Sequence, residues 1–155
     1  VIFVVGTDAY HLRAQGRVQL AGSGALVSAL RLLSGGLLSV FGKHQSLIST
    51  PLATLGIRGT GVYAESFPDL SYLCTCYGET DLSANDDPTS RESILSEHHD
   101  APRYVVAEGG PGMRIRTAPF INHDDDELML LETLVGREPP FAVFGDVYGS
   151  PRRTY

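Results

Sequence analysis

Cys74-Thr75-Cys76 carries the most specific chemistry in the sequence, together with His98-His99 and His123. On a strand, side chains two residues apart share a face, with Cα atoms roughly 6–7 Å apart, so both thiols reach one ion. While extended, the same pair does not readily close a disulfide. A bound ion needs two further donors, and the candidates are His98, His99, His123 or an aspartate from Asp124 to Asp126. Sulfur with imidazole suits zinc or copper, or an iron–sulfur centre if a second chain adds cysteines. The spacing is neither the CxxC of common zinc sites nor the CxxCH of haem attachment. The competing reading makes Cys74 and Cys76 small core residues of an inner strand, or an oxidised pair held by a local distortion. The cofactor expectation is therefore none, or a transition-metal ion at Cys74, Cys76, His98, His99 and His123.

Other chemistry is thinly represented. Asp124, Asp125, Asp126, Glu127 and Glu132 cluster, but the alternating acids, central glycine and terminal glutamate of an EF-hand loop are missing, and helix capping accounts for the acids. No Gly-x-Ser-x-Gly occurs, and Gly109-Gly110-Pro111-Gly112 lacks the lysine and following helix of a phosphate-cradling loop. An enzyme is not expected. Tyr63, Tyr72 and Tyr77 offer either a stacking surface for a sugar or small ligand, or ordinary core packing.

The elements that must position these residues are short strands. Val1 to Val5 is an apolar strand closed by Gly6-Thr7-Asp8; Ala9 to Leu12 resumes it, and Arg17 to Ala21 alternates. Ala25 to Leu33 fits a helix or a strand. Gly35-Gly36 reads as a tight turn into Leu37 to Phe41, and Gly42 to Gln45 as the next turn, before Leu47 to Thr50. Gly56 and Gly59 flank Ile57, which places a turn or bulge at Arg58-Gly59-Thr60, with Arg58 capping carbonyls or pairing with Glu65 or Asp81. Ser83 to Asp100 is polar and reads as a long loop with one strand at Ser93 to Glu97; Tyr104 to Ala107 is a last strand. Glu108 to Phe120 reads as an extended surface connection. One helix follows over 122–136, capped by Asn122 or His123, stopped by Gly136, and striped by Leu128, Leu131, Leu134 and Val135. The tail from Arg137 to Tyr155, with Phe141, Phe144 and Tyr148, is too apolar for a linker and either folds back or wraps a neighbour.

A chain of 155 residues, 43% hydrophobic, can bury one sizeable core. Its formal charge of -6 disfavours nucleic acid and anionic membrane surfaces, and no run of about 18 apolar residues marks a spanning helix.

Thr50-Pro51-Leu52-Ala53-Thr54-Leu55-Gly56-Ile57-Arg58-Gly59-Thr60-Gly61-Val62-Tyr63, followed by Tyr72-Leu73-Cys74-Thr75-Cys76-Tyr77-Gly78, resembles the core of the FecR domain. There a Thr-Pro pair, a short apolar strand and an Arg-Gly-Thr turn lead into a strand and a hairpin. The resemblance implies a mainly β, sandwich- or solenoid-like domain over 1–107, with its start truncated because strands usually precede this point. Residues 108–155 supply the connection, the C-terminal helix and the proline-rich tail. It further implies a periplasmic or extracellular, non-catalytic module that acts through other protein subunits or its own copies. FecR regulators relay iron-uptake signals to a sigma factor through a membrane helix and a cytoplasmic segment; this stretch carries neither, so the relay is not expected to transfer. Cysteines at 74 and 76 depart from the aliphatic or threonine residues usual there. A periplasmic metal-binding or redox protein on the same fold is the alternative.

Overall fold

A computed structural model describes residues 1–154; Tyr155, the last aromatic of the tail, lies outside the described residues. The chain is mainly β with one C-terminal helix. Its strands are β1 (Ile2–Val5), β2 (Asp8–Leu12), β3 (Arg17–Ser23), β4 (Leu26–Val40), β5 (Gln45–Ser49), β6 (Ala53–Ser66), β7 (Leu70–Ala84), β8 (Asp87–Ser96), β9 (Arg103–Val106) and β10 (Ile115–Thr117). Helix α1 (Asp125–Leu134) and a 3-10 helix (Pro140–Phe144) follow. The pairings are antiparallel except between β4 and β5.

The three long strands change partners midway. β4 pairs with β3 and β5 over its first half, then with β2 and β6 from Gly35 onward. β6 leaves β5 for β4 around Gly59-Thr60-Gly61, where its register against β7 shifts. β7 pairs with β9 before Gly78 and with β8 from Gly78 on. Gly35, Gly59 and Gly78 all have positive φ (76°, 59° and 90°), which glycine adopts without the Cβ penalty of other residues. The glycines therefore bend continuous strands.

This corrects one reading and decides another: Gly35-Gly36 lies inside β4 and forms no tight turn, and of the turn or bulge expected at Arg58-Gly59-Thr60 the structure has the bulge, within β6. Arg58 is exposed and reaches Asp81 at 3.4 Å, while Glu65 is engaged elsewhere. At Gly35 a Cβ would meet the Cα of Gly16 at 2.7 Å. Gly35→Ala is expected to cost about 2 kcal/mol from the left-handed backbone and the backbone clash together, despite alanine's better fit to a regular strand. Urea unfolding checks this, and a neutral result would place the bend elsewhere.

Two cores result. The first draws on both halves of the long strands (Leu30, Leu32, Leu37, Leu55, Val62, Leu73, Leu82, Val105), so the kinked sheet closes on it. The second lies on the opposite face of the β2–β4–β6–β7 half: Leu38, Val40, Tyr63, Tyr72, Cys74, Cys76 and Tyr77 pack against Leu128, Leu131 and Phe141. Tyr63, Tyr72 and Tyr77 are buried and offer no stacking surface.

The polar stretch after Leu82 is not a long loop. β8 pairs with β7 from Asp87 to Ser96, behind a turn at Asn85-Asp86. Its inward positions include Ser90 and Ser96 beside Ile94, so the period-2 pattern is carried largely by small polar residues that apolar counting misses. Pro88 is tolerated because β8 pairs only with β7. The stretch expected to be a plain connection holds β10, paired with β9.

The helix is shorter than the sequence suggests. Asp124 caps it, accepting from Glu127 N–H at 3.0 Å while the Glu127 carboxylate accepts from Asp124 N–H at 3.2 Å. Asn122 and His123 are spent elsewhere, and Leu134 is exposed. The tail folds back on its own chain: Asn122 N–H donates to Pro151 O and Asp125 N–H to Tyr148 O, at 2.8 and 3.0 Å.

Candidate metal centre

Alternation along β7 puts Cys74 and Cys76 on the face that α1 covers, with Thr75 turned the other way toward Thr80. Both cysteines are free thiols, 0% exposed. His99 lies in the turn after β8, and its backbone N–H donates to the Cys76 carbonyl at 2.8 Å. His123 immediately precedes the Asp124 cap. Both histidines are delivered by unusual backbone: His99 has φ 56°, and Asn122, just before His123, has φ 65°. Non-glycine residues persist there only where surrounding contacts enforce the conformation.

Those contacts are visible. His99 stacks on Phe120 with ring centroids 4.1 Å apart, and His123 on Tyr63 at 4.5 Å. His99 Nε2 lies 2.8 Å from Asp125 Oδ1, and His123 Nδ1 lies 2.8 Å from the Ile121 carbonyl oxygen. The opposite nitrogens turn inward: His99 Nδ1 is 3.3 Å from His123 Nε2 and 3.6 Å from Cys74 Sγ. One ligand atom each from Cys74, Cys76, His99 and His123 lies within 4.8 Å of every other.

Of the residues named from sequence, the structure thus brings Cys74, Cys76, His99 and His123 together and leaves His98 outside. His98 donates from Nε2 to Asp125 Oδ2 at 2.7 Å and stacks on Phe141 and Tyr148. Asp125, which sequence reasoning read chiefly as helix-dipole compensation, is fully buried and accepts from His98, His99 and the Tyr148 N–H. An aspartate in the first turn of a helix looks the same in sequence whether it faces solvent or core. Arg58, Gly59 and Thr60 lie on the bulge of β6 and contribute no atom to the cluster.

The electrostatics of the cluster are asymmetric. Burial opposes ionisation at both thiols. At Cys74 this is outweighed by the hydrogen bond from Cys76 and by His123 and His99, which bring it well below the usual thiol range. Cys76 is pushed up by burial and by the Cys74 sulfur beside it. Burial favours neutral His99, yet Cys74 and Asp125 raise it above the ordinary histidine value. The pocket therefore favours an anionic Cys74 sulfur beside a cationic His99 imidazole.

The helix over this pocket is clamped at its start. Arg13 donates to both Glu127 oxygens, at 2.9 Å for Nη2–Oε2, and to the Asn122 carbonyl at 2.7 Å; Arg152 adds a bond to Glu127 at 2.8 Å. Burial would raise the Glu127 carboxyl, but Arg13, His11 and Arg152 hold it well below the usual carboxylate range. A depressed folded-state pKa gives stability that is fully present above the unfolded carboxylate value of about 4.3 and is lost as pH falls through the folded value. Thermal melts are accordingly expected to decline below about pH 4.3, with a shallower decline in Glu127→Gln.

No family model matches the chain, and no curated protein matches it in sequence. Among solved structures it is similar to a "putative anti-sigma factor" from Parabacteroides distasonis ATCC 8503. Two crystal structures of that protein align at TM-scores of 0.60 and 0.61 with 12% and 11% identity, each covering 76% of this chain and 54% of the other. This chain thus spans about half the length of that protein. The likeness is one of fold.

Proposed function

We propose that this chain is a non-catalytic, FecR-like interaction module of the cell envelope, periplasmic or extracellular, acting as an accessory or self-associating subunit of a larger assembly. The observation that carries the reading is the fold likeness to the Parabacteroides distasonis protein, whose name ties it to a sigma factor. What we carry over is action through protein contact, not that partner. The FecR-like run from Thr50 to Gly78 supports the same reading, since it forms the bulged β6–β7 pair at the centre of the fold. The tail supplies an apolar surface suited to contact: Val143, Phe144 and Val147 are 83%, 80% and 57% exposed and closely spaced. A catalytic role fits less well, because Cys74, Cys76, His99 and His123 lie beneath α1 and the tail, at most 6% exposed. Among the described residues no helix is long and apolar enough to cross a membrane.

A photo-crosslinking residue at position 144, introduced in the native host with cell fractionation, tests this. The expected result is one stoichiometric adduct, with a second copy or a single envelope protein, lost in Val143→Asp. A chain that fractionates with the cytoplasm, or forms no adduct at native abundance, overturns the reading.

A further inference from the structure

We propose that Cys74, Cys76, His99 and His123 form a buried tetrahedral site for a thiophilic d10 cation, zinc(II), with Asp125 and the Ile121 carbonyl orienting the two imidazoles. The first argument is metric. Zinc bonds of about 2.3 Å to sulfur and about 2.0–2.1 Å to nitrogen at tetrahedral angles imply edges near ~3.3 Å between nitrogens and ~3.6 Å between nitrogen and sulfur. The cluster has 3.3 Å between His99 Nδ1 and His123 Nε2, and 3.6 Å between His99 Nδ1 and Cys74 Sγ. Hydrogen bonds among the same atoms have similar lengths, so the metric fit gains its weight from the four donors converging on one point.

The second argument concerns protons. The Ile121 carbonyl can only accept, so His123 carries its hydrogen on Nδ1; the buried Asp125 carboxylate likewise takes the His99 hydrogen on Nε2. In the neutral rings, His99 Nδ1 and His123 Nε2 then face each other with lone pairs, within reach of two thiols. Two acceptors this close are held by a positive centre between them, a shared proton or a metal ion, and the two thiols alongside complete a donor set suited to the ion. Histidine ligands whose outer N–H is held by a carboxylate or a main-chain carbonyl are the usual orienting arrangement around a metal. The neighbouring His98–Asp125–His99 group lacks this demand, because its hydrogen bonds satisfy it already.

The third argument is order. Four ligands from β7, the turn after β8 and the residue before the helix cap are drawn to one point, two of them through left-handed non-glycine backbone. Four protein ligands, buried and with no position left for substrate, describe a structural rather than a catalytic site. This inference does not depend on the interaction reading: a metal-free interaction module and a metal-loaded monomer are both recognisable outcomes.

The full chain, purified under reductant and stripped with chelator, is titrated with cobalt(II) and then zinc(II). The expected result is one equivalent of cobalt with the visible bands of a tetrahedral thiolate site, displaced by one equivalent of zinc, and a melting temperature that rises with free zinc. Cys74→Ser and Cys76→Ser should each lose the cobalt spectrum. Asp125→Asn, which changes a positioning residue, should weaken zinc 10–100-fold while keeping it. If the cysteine variants do not fold, the wild-type titration alone decides. Absence of both the cobalt bands and zinc-dependent stabilisation in reduced wild-type protein overturns the proposal and leaves a proton shared among the thiols and imidazoles. A Cys74–Cys76 disulfide whose reduced form takes no metal overturns it equally.

Discussion

Asp125→Ala is expected to destabilise the protein by about 3–5 kcal/mol, more than removal of any other acid at the start of α1. The carboxylate is fully buried and accepts three hydrogen bonds, from His98 Nε2 at 2.7 Å, His99 Nε2 at 2.8 Å and the Tyr148 N–H at 2.5 Å. Alanine leaves those donors without an acceptor where water does not reach freely, at about 1–3 kcal/mol for each group left unsatisfied. Loss of a first-turn acid from the helix dipole adds about 0.3–1 kcal/mol. Partial relaxation of half-buried His98 toward solvent offsets some of the sum. Helix propensity cannot explain the loss, since alanine is the best helix former. Asp126→Ala, one residue along and exposed, should fall within about 0.5 kcal/mol of wild type. Urea unfolding with an unchanged m-value is the measurement. A loss below about 1 kcal/mol for Asp125→Ala would mean the two histidines find other partners, and the orienting role assigned to Asp125 would go with it.

The same residue shows why the site was only half legible in sequence. Cys74 and Cys76 could be placed on one face because a strand's period is two, and that holds whatever surrounds them. The histidines could be counted but not aimed. His98 and His99 are adjacent with identical side chains, and the left-handed φ of His99 sends one ring to the thiols and the other to Phe141. Nothing in the local sequence announces that backbone. Glycines mark the bends, and the bulge offered at Gly59 is present, but Gly35-Gly36 is equally good chemistry for a turn and for a kink, and only the pairing of β4 with β3 on one side and β2 on the other distinguishes them. β8 escaped because its buried face uses serines, and the helix start was displaced because three consecutive residues, Asn122 to Asp124, are all plausible caps. Mainly β architecture with one C-terminal helix was legible throughout, since it rests on many short apolar runs and one acid-led amphipathic stretch rather than on any single position.

The tail's return to the sheet rests on a buried charge. Glu65 on β6 is 0% exposed and accepts from Tyr63 Oη at 2.8 Å and Asn122 Nδ2 at 2.7 Å. Arg153 approaches it from the tail, with Nε 2.9 and 3.1 Å from the two carboxylate oxygens and the guanidinium over the Phe67 ring. Removing one partner of such a pair costs about 3–5 kcal/mol, because the remaining charge stays buried with that guanidinium gone. The Arg153 side chain is 35% exposed, so water screens part of the field and the lower end applies. Arg153→Ala is therefore expected to cost about 3 kcal/mol, far more than the loss of a surface arginine. Glu65→Gln in the same background removes the stranded charge while its amide oxygen still accepts from Tyr63 and Asn122, and should recover at least half of the loss. A double-mutant cycle over the two positions isolates the coupling. Additive losses would show that Arg153 acts through packing on Phe67 alone, and the tail would then be held by Tyr148, Ser150 and Arg152 without help from the buried carboxylate.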